Sequence, residues 1–422
     1  MGRTQPRIDR RHWLRMASGA ALGIGQAPAW LGAQTADPSD GKLPVAAVVT
    51  VYQPNSHADV IVGKILEGFE QDGGPGPALK LASLYTDQVP SRDMSRGLAK
   101  KYGFPIVRTI DEALTLGTNR LQVAGVLNIG EHGDYPFTPD THQHMYPRRR
   151  FLDEVLATFD RCGQVVPVFN DKHLAYSWAD ARHMYDAVRR RQVPFLAGSS
   201  VPVAWREPPV VLPQDSPIRE ALVVGYGGLE AYGFHALEAL QCLVERRQGG
   251  ETGVVSVQAV QGDQIWSALH DGRWSEELLT AAVGTLPNAS TESIRDRMKP
   301  DSAFFLIEYR SGLRATVAMI NGIVEQFAAA LRLEGEATPI ATWCRLQDGK
   351  PYGHFAYLVR AIDHLVRTRQ APYPVERTLL TTGILDAAQH SLARQGERRA
   401  TPYLDIAYRP TDWPFANQPG RS

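Results

Sequence analysis

Short apolar runs alternate with segments of helical periodicity from Leu43 to about Trp205. Five of the runs are predicted to be β-strands, at Val45–Val51, Leu79–Tyr85, Val123–Ile129, Val165–Phe169 and Phe195–Gly198. Four segments between them are predicted to be helices, at Ala58–Phe69, Arg92–Tyr102, Arg149–Arg161 and Trp178–Arg191. Strands that alternate with helices of this length favour a parallel sheet with right-handed crossover connections.

The second half of the chain has a different pattern. A strand at Ala221–Tyr226 leads into a long helix at Glu230–Arg246, and Ser311-Gly312 has the composition of a hairpin turn. Further strands are predicted at Val254–Val260, Phe304–Tyr309, Ala315–Ile320 and Phe327–Leu333, and closing helices at about His354–Val366 and Val375–Arg394. Consecutive strands with short links suggest an antiparallel sheet with one face packed on helix. The tail after Pro410 is predicted to be loose.

The predicted fold class is therefore α/β followed by α+β. A Rossmann-like parallel-sheet domain is expected over residues 43–205. A domain with an open, mostly antiparallel sheet is expected over residues 206–410, and such a sheet is compatible with a homo-oligomer. The length of 422 residues suits two domains.

Charge and cysteine content exclude several function classes. Lys plus Arg and Asp plus Glu both number 45, so no global positive field attracts nucleic acid, and no nucleic-acid partner is expected. No apolar stretch after the N-terminal segment is long enough to span a membrane. Cys162, Cys242 and Cys344 are widely spaced and odd in number, which indicates neither a disulfide framework nor a cysteine-based metal site.

Residues 1–36 resemble an export signal of the twin-arginine type. Arg10-Arg11 precede an apolar run at Met16–Ile24, and Ala33 or a nearby alanine offers a cleavage site. This order of features predicts a protein of the periplasm or one that is secreted. The segment is left out of the fold prediction.

The turn after the first predicted strand carries no glycine. It reads Tyr52-Gln53-Pro54-Asn55-Ser56-His57, whereas a dinucleotide-binding turn needs glycines so that the backbone can approach a pyrophosphate. Ser56 followed by Asp59 fits a helix-capping pattern, which alone would explain both residues. The layout of the elements therefore indicates a nucleotide-binding fold, while this turn departs from it.

Polar residues follow four of the predicted parallel strands. They are Asn55-Ser56-His57, Asp87, Glu131-His132-Gly133-Asp134 and Asp171-Lys172-His173. Because ligands bind outside the carboxyl ends of parallel strands, we expect a site at this edge. His132 and Asp134, with His57, His142 or His144, offer ligands for a divalent metal, although the spacing matches no established metal signature; a loop that grips sugar hydroxyls is the alternative.

Several stretches resemble the Gfo/Idh/MocA family of oxidoreductases, which includes glucose-fructose oxidoreductase and inositol dehydrogenase. The matching stretches are Ala99–Pro105 (second helix exit), Asn170–Leu174 (Glu-Lys-Pro in the family), Gly233–Glu238 (Gly-x-His-x-x-Asp) and Leu385–Ser391 (closing helix). The chain departs from the family in its shorter acid Asp171, in His173 in place of the proline, and in Ala231 in place of an aspartate.

The resemblance implies a sugar or polyol oxidoreductase with bound NAD(P). Lys172 and His235 would handle the substrate proton while hydride passes to the nicotinamide. Asp171, His132 and Asp134 complete the candidate catalytic set. The candidate cofactor-binding residues are Tyr52, Asn55, Ser56, His57, Asp87 and Asn128.

Two other functions stay open on the sequence alone. The glycine-free turn and the histidine-rich loop are also compatible with a cofactor-free, possibly metal-assisted, carbohydrate lyase or hydrolase. A non-catalytic carbohydrate-binding protein would keep the fold without the proton chemistry. Lys172 would then be a surface lysine, and His235 a core imidazole.

Overall fold

The computed structural model describes residues 41–347 and 349–419, so the predicted export signal lies outside the described residues. The first sheet has six parallel strands in the order β3-β2-β1-β4-β5-β6. They are β1 (Leu43–Val49), β2 (Leu79–Thr86), β3 (Ile106–Val107), β4 (Gly125–Ile129), β5 (Val168–Asp171) and β6 (Phe195–Gly198). The predicted Rossmann-like parallel sheet is confirmed. Only the two-residue β3 was missed, because it is too short to give a pattern.

Five helices connect these strands. They are α1 (His57–Glu67), α2 (Ser95–Tyr102), α3 (Ile110–Thr115), α4 (Arg148–Cys162) and α5 (Trp178–Arg190). Local chemistry fixes their ends: the Ser56 hydroxyl caps α1, and Thr109 with Glu112 forms a capping box on α3. Gly103 and Gly163 end α2 and α4 in the left-handed conformation that glycine adopts easily.

The second sheet has eight strands in the order β14-β9-β10-β11-β8-β12-β13-β7. They are β7 (Trp205–Glu207), β8 (Ile218–Gly225), β9 (Val254–Gln261), β10 (Ala303–Tyr309), β11 (Arg314–Met319), β12 (Phe327–Leu333), β13 (Ile340–Arg345) and β14 (Arg399–Ala400). Every neighbouring pair is antiparallel except β8 and β11, which run parallel. The mostly antiparallel sheet is therefore confirmed, including the β10–β11 hairpin at Ser311-Gly312.

Helices cover both faces of the second sheet. The helices described in this half of the chain are α6 (Ala231–Val244), α7 (Asp263–His270), α8 (Glu276–Val283), α9 (Ile294–Arg297), α10 (Gly353–Thr368) and α11 (Glu376–Ala393), of which α10 is the exception because it packs on the first sheet. One face packs on α6 and α11, and the other on α7 and α8 through a separate apolar cluster that includes Leu278 and Phe304. Helices therefore cover the sheet on both sides. An open sheet face does not support the predicted homo-oligomer, which stays a prediction. No helix among the described residues has both the length and the apolarity that a membrane span needs.

Helix α10 returns to the first sheet although it follows the second in sequence. Leu358, Ile362 and Leu365 are fully buried against β1 and α1. A Cβ at Gly125 in β4 would lie 2.8 Å from the Val366 side chain, so this helix sits directly on the strand. The core of the first sheet is therefore completed by residues from near the end of the chain.

The prediction of a loose tail is wrong for the described residues after Pro410. The Ala416 N–H donates to the Val203 carbonyl at 3.0 Å, and Phe415 is buried beneath the Arg206 guanidinium at 4.2 Å. Single aromatic anchors of this kind have no periodicity, so the sequence pattern did not indicate the contact.

Candidate active site

Titratable side chains from both halves of the chain meet at the carboxyl edge of the first sheet. Glu131 and His132 follow β4, Lys172 follows β5, and His57 begins α1. His235 lies in the second turn of α6, and its ring centroid is 6.5 Å from that of His57. The topology therefore produces the predicted convergence of an amine and several imidazoles.

Lys172 and Glu131 form a buried ion pair at the centre of this edge. The Lys172 Nζ lies 3.0 Å from Glu131 Oε1, and the two side chains are 4% and 5% exposed. Glu131 also pairs with the guanidinium of Arg148, which is fully buried. Burial would raise the pKa of Glu131, but the charges of Lys172 and Arg148 outweigh burial and hold this pKa well below its usual range. Glu131 is therefore a carboxylate shared by two cations.

Arg148 opens α4 together with Arg149 and Arg150, but it alone of the three is buried. Its Nη1 lies 3.1 Å from His173 Nε2, so it links the shared carboxylate to a further buried residue. Burial and the neighbouring Arg148 charge lower the pKa of His173. A neutral His173 accepts the guanidinium hydrogen bond.

The backbone of Lys172 is held in an uncommon conformation. Its φ of 61° lies in the left-handed region, and its N–H donates to the Gly198 carbonyl at 3.2 Å. Gly198 has a φ of 129°, and a Cβ there would lie 2.7 Å from Glu238 Oε2. The direction of the Lys172 side chain thus depends on β6 and α6 as well as on its own strand.

His57 and Asp171 form a hydrogen-bonded pair beside Lys172. His57 Nδ1 lies 2.7 Å from Asp171 Oδ2, and the Asp171 side chain is almost fully buried. The ring of His132 lies 5.4 Å from that of His57, and burial lowers the pKa of His132 to about 4. The edge of Phe355, from α10, closes the other side of His57 at 5.2 Å.

His235 is partly buried and is oriented by Ser199. Its Nδ1 lies 2.6 Å from the Ser199 hydroxyl. Burial, followed by the charges of Lys172 and His57, holds the pKa of His235 well below its ordinary value. His235 is therefore neutral near pH 7 and has the protonation state of a base.

Other predicted residues lie at the β1–α1 turn or in the core. Ser56 caps α1, and Asn55 is exposed with its Oδ1 accepting from the Tyr352 hydroxyl at 2.8 Å. Tyr52 is fully buried in the core of the first sheet. Asn128 is also fully buried, and its Nδ2 donates to Asn170 Oδ1 at 2.9 Å within the sheet.

Asp87 and Asp134 lie apart from the charged cluster. The Asp87 carboxylate accepts from the hydroxyls of Tyr85 at 2.7 Å and Tyr135 at 2.6 Å, and it pairs with Arg150 at 2.5 Å. Asp134 is exposed, and its backbone is joined to the Gln88 side chain by two hydrogen bonds of 2.8 and 2.9 Å.

The ligands suggested for a metal do not converge. His142 is exposed, and His144 is stacked between Phe137 and Tyr146 with ring centroids 4.1 Å away on each side. Over residues 41–347 and 349–419, no three His, Cys, Asp or Glu side chains are grouped so that they could hold a metal ion. The metal-assisted alternative thus loses its predicted ligand set.

Sequence reasoning missed four residues that shape this site: Arg148, Ser199, Tyr352 and Phe355. The last two come from the start of α10, about 300 residues after the turn that they contact, and no local pattern signals such a contact. Glu131, by contrast, was marked in the sequence by its place directly after a predicted strand.

Solved structures with the same architecture include nicotinamide-dependent enzymes. GenD2 from gentamicin A biosynthesis, in complex with NAD, has a TM-score of 0.54 at 15% identity over 89% of this chain and 99% of its own. Scyllo-inositol dehydrogenase from Lactobacillus casei, with NAD(H) and scyllo-inositol, has a TM-score of 0.51 at 10% identity over 85% and 99%. An oxidoreductase from Agrobacterium radiobacter, in complex with NAD+, L-tartaric acid and magnesium, has a TM-score of 0.52 at 12% identity over 85% and 98%.

This chain has the two-sheet fold of these dehydrogenases. The fold expected from the resemblance to the Gfo/Idh/MocA proteins is therefore confirmed over nearly the whole described chain. No protein-family model matches the sequence, and no curated protein sequence matches it either. The likeness is thus one of structure at low sequence identity.

Proposed function

We propose that this protein is an oxidoreductase that acts on a sugar or polyol with NAD(P) as the hydride acceptor. One observation carries the proposal: a buried lysine after β5 and a neutral histidine from α6 meet at the carboxyl edge of the first sheet. Dehydrogenases that share this fold include one solved with NAD(H) and scyllo-inositol. Because the sequence identity to these enzymes is low, the substrate class is inferred from the chemistry of the site.

The residues of this site suit the removal of a proton from a hydroxyl group. Lys172, kept in a fixed position by Glu131, donates a hydrogen bond to the substrate oxygen and stabilises the negative charge that develops there. His235 is uncharged near neutral pH and accepts the hydroxyl proton. His57, oriented by Asp171, supplies a second imidazole for a neighbouring hydroxyl. NAD(P), when bound, supplies the acceptor for the hydride.

In the described conformation, the group expected to hold the adenosine end of a dinucleotide already has partners within the protein. The carboxylate of Asp87, which stands where an acid would hold the ribose, already accepts from two tyrosines and Arg150. The loop after β4 reaches across β1 to Gln88, which follows β2, and two hydrogen bonds fasten it there. Binding of a nucleotide therefore requires this loop to move.

The β1–α1 turn likewise uses its own hydrogen-bond donors. The Gln53 N–H donates to Ser56 Oγ at 3.3 Å, and the Asn55 N–H donates to Asp59 Oδ2 at 2.9 Å. These backbone groups are the ones that a pyrophosphate would otherwise engage at the start of α1. A phosphate group at this turn would have to displace the Asp59 carboxylate.

Calorimetry with NAD+ and NADP+, together with a nicotinamide absorbance assay on a panel of polyols and aldoses, tests the proposal. We expect His235→Asn and Lys172→Met to lower kcat by about 10²- to 10⁴-fold, the usual range for acid–base groups. A Gln88→Ala/Tyr135→Phe variant, in which the loop is released, should bind nucleotide more tightly than the wild type. Absence of binding to both folded proteins would refute the nicotinamide assignment.

A nucleotide-free carbohydrate lyase or hydrolase is the second candidate. The observation that favours it is that the backbone N–H groups of the β1–α1 turn and the carboxylate of Asp87 already have hydrogen-bond partners within the protein. Under this candidate the same Lys172 and His235 move protons without a hydride acceptor, so products would form from sugars in the absence of nucleotide. A carbohydrate-binding protein without catalysis would instead keep its ligand affinity in the Lys172→Met variant and show no turnover.

Export by the twin-arginine route is part of the proposal. The order of Arg10-Arg11, the apolar run at Met16–Ile24 and the alanines that follow supports it. Replacing Arg10 and Arg11 with lysine should keep the full-length precursor in the cytoplasm. The unaltered protein should instead be found outside the cytoplasm, without its signal segment. Equal distribution of the two proteins would contradict export by this route.

A further inference from the structure

A cavity of about 500 Å³ lies at the opposite end of α6 from His235. Its walls come from the C-terminal part of α6, from residues 202–214 and from residues 411–418 of the last described segment. The volume lies in the range of sites that bind small molecules. No residue of the candidate active site lines this cavity, so its occupant has to be identified from its own chemistry.

Arg206 is a buried cation in the wall of this cavity. Its guanidinium donates to the carbonyls of Val210 at 3.1 Å and Pro202 at 3.4 Å, lies 3.6 Å from Cys242 Sγ, and stacks on the ring of Phe415 at 4.2 Å. In the part of the chain that the structure describes, no carboxylate lies within ion-pairing distance of it. A buried charge is unfavourable unless an opposite charge pairs with it.

The other two arginines of the cavity already have counter-ions. Arg377 makes a bidentate pair with Glu245 at 2.9 and 2.5 Å. Arg246 pairs with Asp412 at 2.7 Å. Three guanidinium groups thus face two carboxylates, and the excess positive charge is that of Arg206.

Tyr373 places an unpartnered hydroxyl in the same wall. Its side chain is 2% exposed, and its hydroxyl has no hydrogen-bond partner among the described residues. Buried tyrosine hydroxyls normally find a partner, so this donor is available to a ligand. A cation without a counter-ion and a hydroxyl without a hydrogen-bond partner are groups that recognise an oxyanion.

We propose that this cavity binds a small anion through its carboxylate or phosphate group. The anion pairs with Arg206 and accepts a hydrogen bond from the Tyr373 hydroxyl. Because residues 411–418 form one wall, the bound anion also holds the C-terminal segment against the body of the protein. The ligand class is therefore a small carboxylate or phosphate rather than a neutral molecule.

Titration calorimetry and thermal melting of the full chain with inorganic phosphate, gluconate and glucose test this proposal. Phosphate or gluconate should bind and raise the melting temperature, while neutral glucose should do neither at this site. Tyr373→Phe and Arg206→Gln should each weaken anion binding about tenfold or more. Arg345→Gln, at a partly exposed arginine that pairs with Glu207 on the same sheet, is the matched control and should bind the anion as the wild type does.

Tyr373→Phe keeps the test decisive if Arg206→Gln fails to fold. The hydroxyl that it removes has no hydrogen-bond partner among the described residues, so the variant should melt close to the wild-type temperature without ligand. Two results would overturn the proposal: no binding of either anion to the wild type, or unchanged anion affinity in the folded Tyr373→Phe variant.

Discussion

At the scale of single residues, the charged cluster depends on Glu131. This carboxylate is the anion that the ammonium of Lys172 and the guanidinium of Arg148 share, and all three side chains are at most 5% exposed. Loss of Glu131 would leave two buried cations side by side, whereas loss of Lys172 would leave a balanced pair. The loss of folding stability is therefore expected to be much larger when Glu131 is replaced than when Lys172 is replaced.

Glu131→Gln should lower the free energy of unfolding by about 3–5 kcal/mol, because both buried cations lose their counter-ion. Lys172→Met should cost less, since Arg148 still neutralises the carboxylate. Urea unfolding followed by circular dichroism measures both. The control is Glu397→Gln, because Glu397 also lies between two arginines, at 3.6 and 3.7 Å, but is half exposed. If Glu131→Gln were as stable as the control, the cluster would not have the stabilising role described.

A second residue-scale prediction concerns pH and His354. This ring is 7% exposed, and burial, followed by the charges of Lys64 and His57, lowers its pKa to about 3. In the unfolded chain the pKa is about 6.5, so below that pH the unfolded state gains a proton that the native state does not bind. Stability therefore falls as the pH is lowered from 6.5 toward 3.

His354→Asn keeps a hydrogen-bond acceptor for the Gln347 N–H and cannot titrate in this range. Between pH 7.5 and pH 5 the wild type should lose about 2 kcal/mol more stability than the variant. Urea midpoints at the two pH values give this difference directly. The exposed His270 is the control, since His270→Asn should leave the pH dependence as it is in the wild type. Parallel pH profiles for wild type and His354→Asn would contradict the assignment.

At the scale of elements, the periodicity of the sequence located the long strands and helices but not the short ones. The strand at Phe327–Leu333 matched the prediction residue for residue, whereas β13 at Ile340–Arg345 mixes polar and apolar residues and was missed. The carboxyl-edge rule predicted that His57 and Lys172 would approach each other, and the resemblance to the Gfo/Idh/MocA family added His235 opposite Lys172. Arg148, Tyr352 and Phe355 were missed because their partners are set by tertiary packing, which leaves no trace in local sequence.

The end of β6 controls the geometry of the neighbouring strand end. Gly198 accepts the Lys172 N–H at a φ of 129°, where a side chain would be strained and would collide with Glu238 and Thr378. Gly198→Ala is expected to shift Lys172, to lower turnover and to reduce the melting temperature markedly. Gly163→Ala is the matched control, because Gly163 also has a positive φ but has open space around it, and this change should cost only about 1–2 kcal/mol. Equal effects of the two substitutions would show that the collision is unimportant.

At the scale of the whole molecule, the two sheets do not divide the chain into independent pieces. Helix α10 begins at Gly353 and completes the core of the first sheet, and its N-terminal residues Tyr352 and Phe355 contact Asn55 and His57 at the site. The described residues 411–419 pack near the start of the second sheet. The predicted boundary near residue 205 therefore follows the order of the sheets but not the distribution of the core.

This arrangement predicts that residues 37–205 do not fold alone. Without α10 the fragment would expose apolar surface of β1 and α1 that Leu358, Ile362 and Leu365 bury completely, and a sheet of this type needs helices on both faces. We expect the fragment to lack a cooperative thermal transition. The same fragment joined through a Gly/Ser linker to residues 349–372 should regain one, because the linker supplies the missing helix at a high effective concentration. A linked version with Leu358, Ile362 and Leu365 changed to serine is the control and should behave like the bare fragment. A sharp transition in residues 37–205 alone would show that the first sheet is an autonomous domain and that α10 only covers it.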